Sequence, residues 1–584
     1  MGETVNSDRL LVLVGRLILS FLALVALFLF FYQPNPPVDD FWWHLATGRW
    51  IVENNSLPSI DPFLITSGQT TSLRQKMILH GYWLAQVSSF LLYKASGWQG
   101  LLLAKAALFT ALCVTISRFL VYRGVGCAAS YLLSLAILPI ALSFLSLRPH
   151  IFSVLGAVLF FIWTEKGLDG LRSGRLELSR HLYWLPVLTM LWANLHSGFI
   201  IGQGMALIYI LAEGIKLALG RNQLEKAIFK RFLGWQVLAI AAAFLNPNHL
   251  NVWLSIVLEG NPAGPFAQTI EEYLSVWKLA SFTGNYTDLY LMLGVLLVSL
   301  TTLCISWKRV ALSHWALFGI FSLAGFSASR FSIFFVAMAI LIAAPCLAAL
   351  WDKKRLVVDK IALGVMLAAI PCLIAFSWNK SVFAQGTLSK DLPDKAVTFF
   401  KEKRLPGPVF NPYEWGGYLV WNLFPQYQFF IDARTLDYST YLAYQKGLNS
   451  NPAEVLGAHG IQTVIFYYSY KDFAPLSGMV FSLLVDGGWD LVYSDNLAVI
   501  FTRKTPLPST TALSKVGFID SFIGTILNSA DFSPEHLHAN LLLGQLHYAK
   551  KDAAGARRFF GKALSIDPQN GFARNWVALL DRRP

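Results

Sequence analysis

The chain has 584 residues, is 55% hydrophobic and only 14% charged, and has a mean hydropathy of +0.50. Soluble globular chains carry about 25% charged residues, so the composition excludes a wholly soluble protein and points to a membrane protein with water-soluble parts. The formal net charge of +13 is not a nucleic-acid footprint, because the Lys and Arg cluster between apolar runs; the five cysteines all lie inside such runs, which excludes a disulfide framework.

The first run, "MGETVNSDRLLVLVGRLILSFLALVALFLFFY", has a long apolar core and no small-residue cleavage site. It reads as a retained span rather than a removed signal peptide. Runs of spanning length give spans near 11–32, 99–120, 127–147, 150–164, 182–195, 199–219, 232–246, 286–306, 311–329, 331–350 and 360–377, about eleven in all. Basic loops mark the cytoplasmic side. With the N-terminus inside, that side receives Arg9, Arg16, Arg118, Arg123, Lys166, Arg172, Arg175 and Arg180, then Lys216, Arg221, Lys226, Lys230, Arg231, Lys308, Arg309, Lys353, Lys354, Arg355 and Lys360. The outer connections after residue 140 hold Arg148, Lys278 and Arg330.

Between the first two spans lies a long first outer loop, 33–98. Its opening, "PPVDDFWWHLATGRWIVENN", puts two carboxylates beside paired tryptophans. A helix is expected over 40–53, with Asp39 placed to cap it and the tryptophans placed to form an interfacial belt. Asp40, His44 and Thr47 share one face by their i, i+4, i+7 spacing, leaving Trp43, Trp50 and Ile51 to face lipid. The segment 79–96, "LHGYWLAQVSSFLLYKAS", reads as a second interfacial helix: if it crossed, every later basic loop would face outward.

Along the spans, Asp39, Asp40, His80, Arg148, His150, Asn194, His196, Asn246, Asn248, His249 and Arg330 all fall at outer ends. Polar groups at membrane depth are costly and tend to line cavities. Each alone also reads as a helix end capped in headgroup water; the whole set on one side reads better as a shared polar cavity. Arg148 and Arg330 run against the charge rule, so each needs an anion: a bound phosphate, or an internal partner among Asp39, Asp40, Glu271 and Glu272.

After residue 379 the hydropathy falls. Residues 380–504 read as an α/β domain: a strand, Gly-Gly turn and helix in "GPVFNPYEWGGYLVWNLF", strands in "YQFFIDART" and "QTVIFYYS", and a hairpin in "WDLVYSDNLAVIFTRK". "TPLPSTTALS" reads as a linker. In the tail, 515–584, the positions Leu543, Gly544, Tyr548, Ala556, Phe560, Ala563, Leu564 and Pro568 resemble the tetratricopeptide repeat. One repeat cannot stand alone, so it must dock on the α/β domain, on another chain or on both.

The opening stretch, read as "VDDFWWHLATGRWI" followed by "LPSIDPFLIT" and "HGYWLAQ", resembles the "DPDxWWHLxTG" signature of bacterial relatives of protein O-mannosyltransferases and aminoarabinose transferases. These belong to the GT-C superfamily of polyprenyl-phosphate-sugar-dependent glycosyltransferases. The resemblance covers roughly the first 380 residues; His80-Gly81-Tyr82-Trp83 stands where such relatives more often have His-Glu-Trp. It implies a multi-span α-helical GT-C-like membrane domain over 1–379, followed on the same side by the soluble domain and the tail. It also implies an acidic first-loop residue that acts on the acceptor.

The chemistry agrees. A sugar on a lipid phosphate already has a good leaving group, so the protein must deprotonate an acceptor hydroxyl and hold the departing phosphate charge. Asp40 is the preferred base, with Asp39 as cap or metal ligand. Adjacent carboxylates favour either a raised pKa on one of them or a divalent cation, Mg2+ or Mn2+; no cofactor is certain. The phosphate and cavity group is Arg148, His150, Arg330, His80, His44, Asn194, His196, Asn246 and His249.

The expected partners are a polyprenyl-phosphate-linked sugar, a periplasmic acceptor, membrane lipid and a protein on the C-terminal repeat; nucleic acid is excluded. The expected setting is a bacterial inner membrane with the C-terminal domain periplasmic. The alternatives are an O-antigen-ligase or polymerase-type enzyme relying on outer arginines and histidines, and a non-enzymatic scaffold presenting the repeat. A transporter fits less well, since paired Gly/Pro-broken mid-membrane helices are lacking.

Overall fold

The computed structural model describes residues 22–32, 39–67, 73–142, 148–220, 226–251, 253, 271–379, 392–434, 437–468, 475–504 and 512–582. Residues 11–21 of the expected first span and most of the expected linker at 505–514 lie outside that set. The chain forms two compact units. The first draws on Met1–Val38, Thr47–Leu57 and Lys76–Thr387; the second on Asp39–Ala46, Pro58–Gln75 and Leu388–Pro584.

The first unit is helical. Among the described residues six helices are long and apolar enough to cross a membrane: Trp83–Tyr122, His150–Ser173, Ser197–Ala218, Thr287–Ile305, Ser329–Leu350 and Arg355–Ala375. Shorter apolar helices occupy Leu22–Phe31, Cys127–Ala141 and Leu312–Ser327. Ser332–Leu350 is apolar on every side and is buried continuously from Ser332 to Ala344, as a helix at the centre of a bundle must be. Arg355–Asn379 instead leaves Leu356, Ile361, Val365 and Leu367 exposed, a surface suited to lipid.

Trp83–Tyr122 is interrupted at Gly97, whose φ of +60° is a backbone region that side-chain-bearing residues rarely adopt. The break separates 83–96 from the apolar run 98–122, where the sequence divides them. Charges inside this unit are paired. Glu165 accepts from the Tyr209 hydroxyl at 2.9 Å, lies 3.0 Å from His314 Nε2 and pairs with Arg123. Arg172 and Lys216 close on Glu213. Such pairing is what low-dielectric surroundings demand.

The second unit is built on a four-stranded sheet: β1 (Val409–Phe410), β2 (Thr463–Tyr467), β3 (Trp489–Ser494) and β4 (Ala498–Arg503), in the order β1-β2-β4-β3. β1 runs parallel to β2, and the other pairs are antiparallel. β2 and β4 are runs of β-branched and aromatic residues, buried almost throughout, as central strands should be. Asp495 closes the expected β3–β4 hairpin by accepting from the Leu497 and Ala498 N–H groups.

Two expectations fail here. The Gly-Gly pair is not a turn: it opens the helix Gly416–Leu423, and a Cβ on Gly416 would lie 2.3 Å from the Ile431 carbonyl oxygen. "YQFFIDART" is not a full strand; Phe429 makes isolated parallel bridges to Leu64 and Val409. Its neighbours are a two-residue strand and a first-loop segment, so neither ladder extends.

The tail begins with the helix Lys515–Leu527 and ends in a group of three, Leu537–Ala549, Ala553–Ile566 and Gly571–Asp581. The small residue at 544 lets the first two of the three approach closely, since a Cβ there would meet the Phe560 ring at 2.6 Å. Phe560 stacks on Trp576 at 5.4 Å, fastening the third. The tail shares a core with the sheet through Leu542, Leu543, Leu546 and Phe559. The Gln545 amide imitates a strand neighbour: its oxygen accepts from the Leu476 N–H at 2.8 Å and its nitrogen donates to the Leu476 carbonyl at 3.4 Å. The tail therefore docks on the α/β part of its own chain.

Candidate functional site

The signature helix runs Asp39–Asn54. Its first half, through Ala46, folds with the second unit and the remainder with the first. The Asp39 side chain lies outside the described residues. Asp40 is half-buried, and its Oδ1 accepts from the Trp43 indole Nε1 at 3.2 Å, one helical turn on. Trp43 stacks against His44 with ring centroids 3.6 Å apart.

The expected lipid-facing and cavity-facing stripes are not found. Phe41 to Gly48 are all buried, as is Ile51, and Trp50 is half-buried. Trp42 and Trp43 are 4% and 5% exposed and do not form an interfacial belt. The reason is that this half-helix packs into a folded unit: Trp42 meets Tyr418 edge-on at 5.1 Å, and the Tyr418 hydroxyl donates to Asp394.

Trp43 faces Arg434, whose guanidinium carbon lies 5.8 Å from its ring and 5.2 Å from the Phe63 ring. The same guanidinium is gripped at its edges. Nη1 and Nη2 donate to the two Asp61 oxygens at 2.7 and 3.1 Å, and Nε and Nη2 donate to Asp432 at 2.8 and 2.5 Å. All three side chains are 2% exposed or less. Asp61 Oδ2 also accepts from the Leu64 N–H and the Ser67 hydroxyl.

Burial alone would lower the Arg434 pKa; Asp432 and Asp61 outweigh it and push it above its ordinary value. One cation cannot fully compensate two buried carboxylates, and burial holds the Asp61 carboxyl above the usual range, with Arg434 opposing and Asp432 reinforcing.

The first-loop segment 61–67 is thereby laid along the sheet edge. Ile65 N–H donates to the Phe429 carbonyl and Phe429 N–H to that of Phe63, each at 3.0 Å, and the Thr66 hydroxyl donates to the Phe430 carbonyl at 2.9 Å. Beside it a small cleft, partly open to solvent, is lined by Thr66, Ser67, Gln75, Asp432, Asp437 and Thr440. Asp61, Asp432 and Arg434 were not singled out by sequence reasoning. The available signal was a lone Asp inside the apolar stretch "SIDPFLI" and an Asp and an Arg two residues apart in "FFIDART".

In the first unit, His150 lies within electrostatic range of Arg148 and Arg330, and His196 within range of His150 and Arg330. Arg148 is paired with Glu272, one of the internal partners considered. Arg330 lies over the Tyr273 ring at 4.7 Å and near Phe331 at 5.8 Å, and has no carboxylate partner among the described residues. His196 Nδ1 accepts from the Gly198 N–H and meets the Ser153 hydroxyl at 2.6 Å; its ring lies 5.4 Å from Tyr82.

Asn194 and Asn246 are engaged in the fold. Asn194 accepts from Trp83 Nε1 at 2.7 Å and donates to the Met190 and Leu245 carbonyls. Asn246 closes a turn to the Asn248 N–H. His249 is exposed at a φ of +45°, and His80 ends the helix Leu73–His80 half-buried.

Among the described residues, no group of three or more His, Cys, Asp or Glu is placed to hold a metal ion. Asp61 and Asp432 are taken up by Arg434, which leaves Asp40 as the one described carboxylate of the expected pair.

No protein-family model matches the sequence, and no curated protein matches it. Among solved structures, the chain is similar to the archaeal oligosaccharyltransferase AglB from Archaeoglobus fulgidus in complex with an inhibitory peptide and a dolichol-phosphate. The TM-score is 0.52 at 12% identity, covering 95% of this chain and 87% of that one. The A. fulgidus oligosaccharyltransferase complex with Zn and sulfate gives a TM-score of 0.50 at 13% identity, covering 95% and 86%. The chain therefore shares its fold with the archaeal oligosaccharyltransferase, over nearly its whole length.

Proposed function

We propose that the protein is a membrane glycosyltransferase that moves a sugar from a polyprenyl-(di)phosphate donor to an acceptor hydroxyl on protein, lipid or polysaccharide, in a bacterial inner membrane with its second unit in the periplasm. The observation that carries the reading is the shared fold across 95% of the chain with a protein solved together with dolichol-phosphate and a peptide. In the transfer, the acceptor oxygen bonds to the anomeric carbon as the bond from that carbon to the phosphate oxygen breaks. The acceptor proton passes to Asp40, and the negative charge stays on the lipid phosphate. Arg330 is assigned to that phosphate in preference to Arg148, because Arg148 already has Glu272. The C-terminal helices are assigned to a protein partner within the same proposal.

The test is Asp40→Asn, which keeps size and hydrogen bonding but not basicity. It should abolish the envelope glycan, measured by mass analysis in cells carrying only the variant, with the melting temperature of the purified protein unchanged. Undiminished glycan would refute the carboxylate mechanism. It would favour a ligase-type enzyme, which the grouping of Arg148, His150, His196 and Arg330 would serve. Loss of transfer on chelation, restored by Mg2+ or Mn2+, would add a cation at Asp39 and Asp40.

A further inference from the structure

Arg434 stands 373 residues from Asp61 in sequence, yet Nε, Nη1 and Nη2 of its guanidinium all donate to carboxylates. Its edges are held by Asp61 and Asp432, and Phe63 and Trp43 lie near its faces. A cluster that only fastened the first loop to the sheet would need the carboxylates and nothing from the signature helix. Here one of the two aromatic neighbours is Trp43, the side chain whose Nε1 donates to Asp40. The indole has one ring plane and one donor, so fixing the plane against a cation fixes where the donor points. Trp42 makes the second attachment of the same half-helix, through Tyr418.

We infer that Arg434 is a positioning residue for Asp40, acting through the indole of Trp43, so that the C-terminal unit is a working part of the transfer site. This rests on the reading of Asp40 as the base. Lysine would keep the charge at 434 but lose both the fork and the flat face. Asp61→Asn would keep a hydrogen-bonding partner but remove half of the counter-charge.

The test uses the full chain labelled with 5-fluorotryptophan and purified in detergent. The Trp43 resonance is the one that Trp43→Phe removes. Arg434→Lys, Asp61→Asn and Asp40→Asn should each shift that resonance, because all three bear on the indole. Arg434→Lys should lower the envelope glycan on the order of 10- to 100-fold, the effect of a misplaced catalytic group, and should not rescue Arg434→Ala.

The inference is overturned if Arg434→Lys leaves the Trp43 resonance in place, or if it restores full glycan where Arg434→Ala abolishes it; either result would make Arg434 a plain ion-pair anchor. Should Arg434→Ala give no cooperative melt, Arg434→Lys and Asp61→Asn decide the matter by the same two readouts. A shifted resonance together with full glycan in Asp40→Asn would remove Asp40 from the chemistry, and with it the proposed function, while leaving the link from Arg434 to the Asp40 side chain intact.

Discussion

Gly48, the glycine of "HLATGRW", is the place where a single methyl group should do most harm to the signature helix. A Cβ there would lie 2.1 Å from the carbonyl oxygen of Gln86, 2.6 Å from its carbon and 3.0 Å from Phe90 Cβ. Ordinary contacts of this kind are about 3.5 Å, so the crossing of Asp39–Asn54 over 83–96 must open by roughly 1 Å. The obstacle is backbone and cannot rotate away. Overpacking of this kind costs about 1–3 kcal/mol, against a gain of roughly 1 kcal/mol from replacing glycine by alanine in a helix. The net effect of Gly48→Ala should be destabilising by up to about 2 kcal/mol. Gly294, inside Thr287–Ile305, is an internal control, since nothing lies within 4 Å of its added Cβ. Thermal melts of the full chain in detergent should place Gly48→Ala below wild type and Gly294→Ala at or above it. A Gly48→Ala protein that melts at or above wild type would refute the argument, because the crossing would then have slack.

Gln545→Ala should loosen the tail by about 1–3 kcal/mol, since it strands the buried Leu476 N–H; limited proteolysis should then release fragments ending near residue 530. Asp552 caps Ala553–Ile566 by accepting from the Gly555 N–H, and Asp552→Ala should cost about 1 kcal/mol, read as a lower melting temperature. That bond and the His547 contact hold the Asp552 pKa below the ordinary carboxylate value. Its contribution is therefore present above about pH 4 and lost as pH falls through the lower folded value, and Asp552→Asn should flatten that part of a stability–pH curve. Arg148→Ala should change the melting temperature little, because the Arg148 and Glu272 side chains are 24% and 41% exposed and solvent screens the pair.

The helices of the first unit were legible because their signal is long. Apolar runs of spanning length leave little choice of element, and the division between 79–96 and 99–120 coincides with the break at Gly97. The β3–β4 hairpin was legible for the opposite reason, its signal being local: two short apolar runs around Ser-Asp-Asn. Phe429 was misread because its partner, Leu64, lies far away in the first loop. The same distance hid the site. Trp42 and Trp43 look like an interfacial belt in sequence, and nothing local says that Tyr418 and Arg434 will cover them. Asp40 could be singled out from its neighbours; Asp61 could not, because a buried carboxylate is recognised by its partner, and Arg434 is 373 residues away.

The attachment of 61–67 to the sheet edge also fixes a parity. Segments that share hydrogen bonds in one folded unit lie on one side of a bilayer, since irregular chain with open sheet edges does not pass through hydrocarbon. The chain between Gln75 and Leu388 must then cross an even number of times. Among the described residues of that stretch, the six helices long and apolar enough to cross and the two shorter apolar ones at Cys127–Ala141 and Leu312–Ser327 are an even number. Helices could be gained or lost in pairs without disturbing Arg434. Loss of any one alone would leave Asp61 and Arg434 on opposite faces of about 30 Å of hydrocarbon.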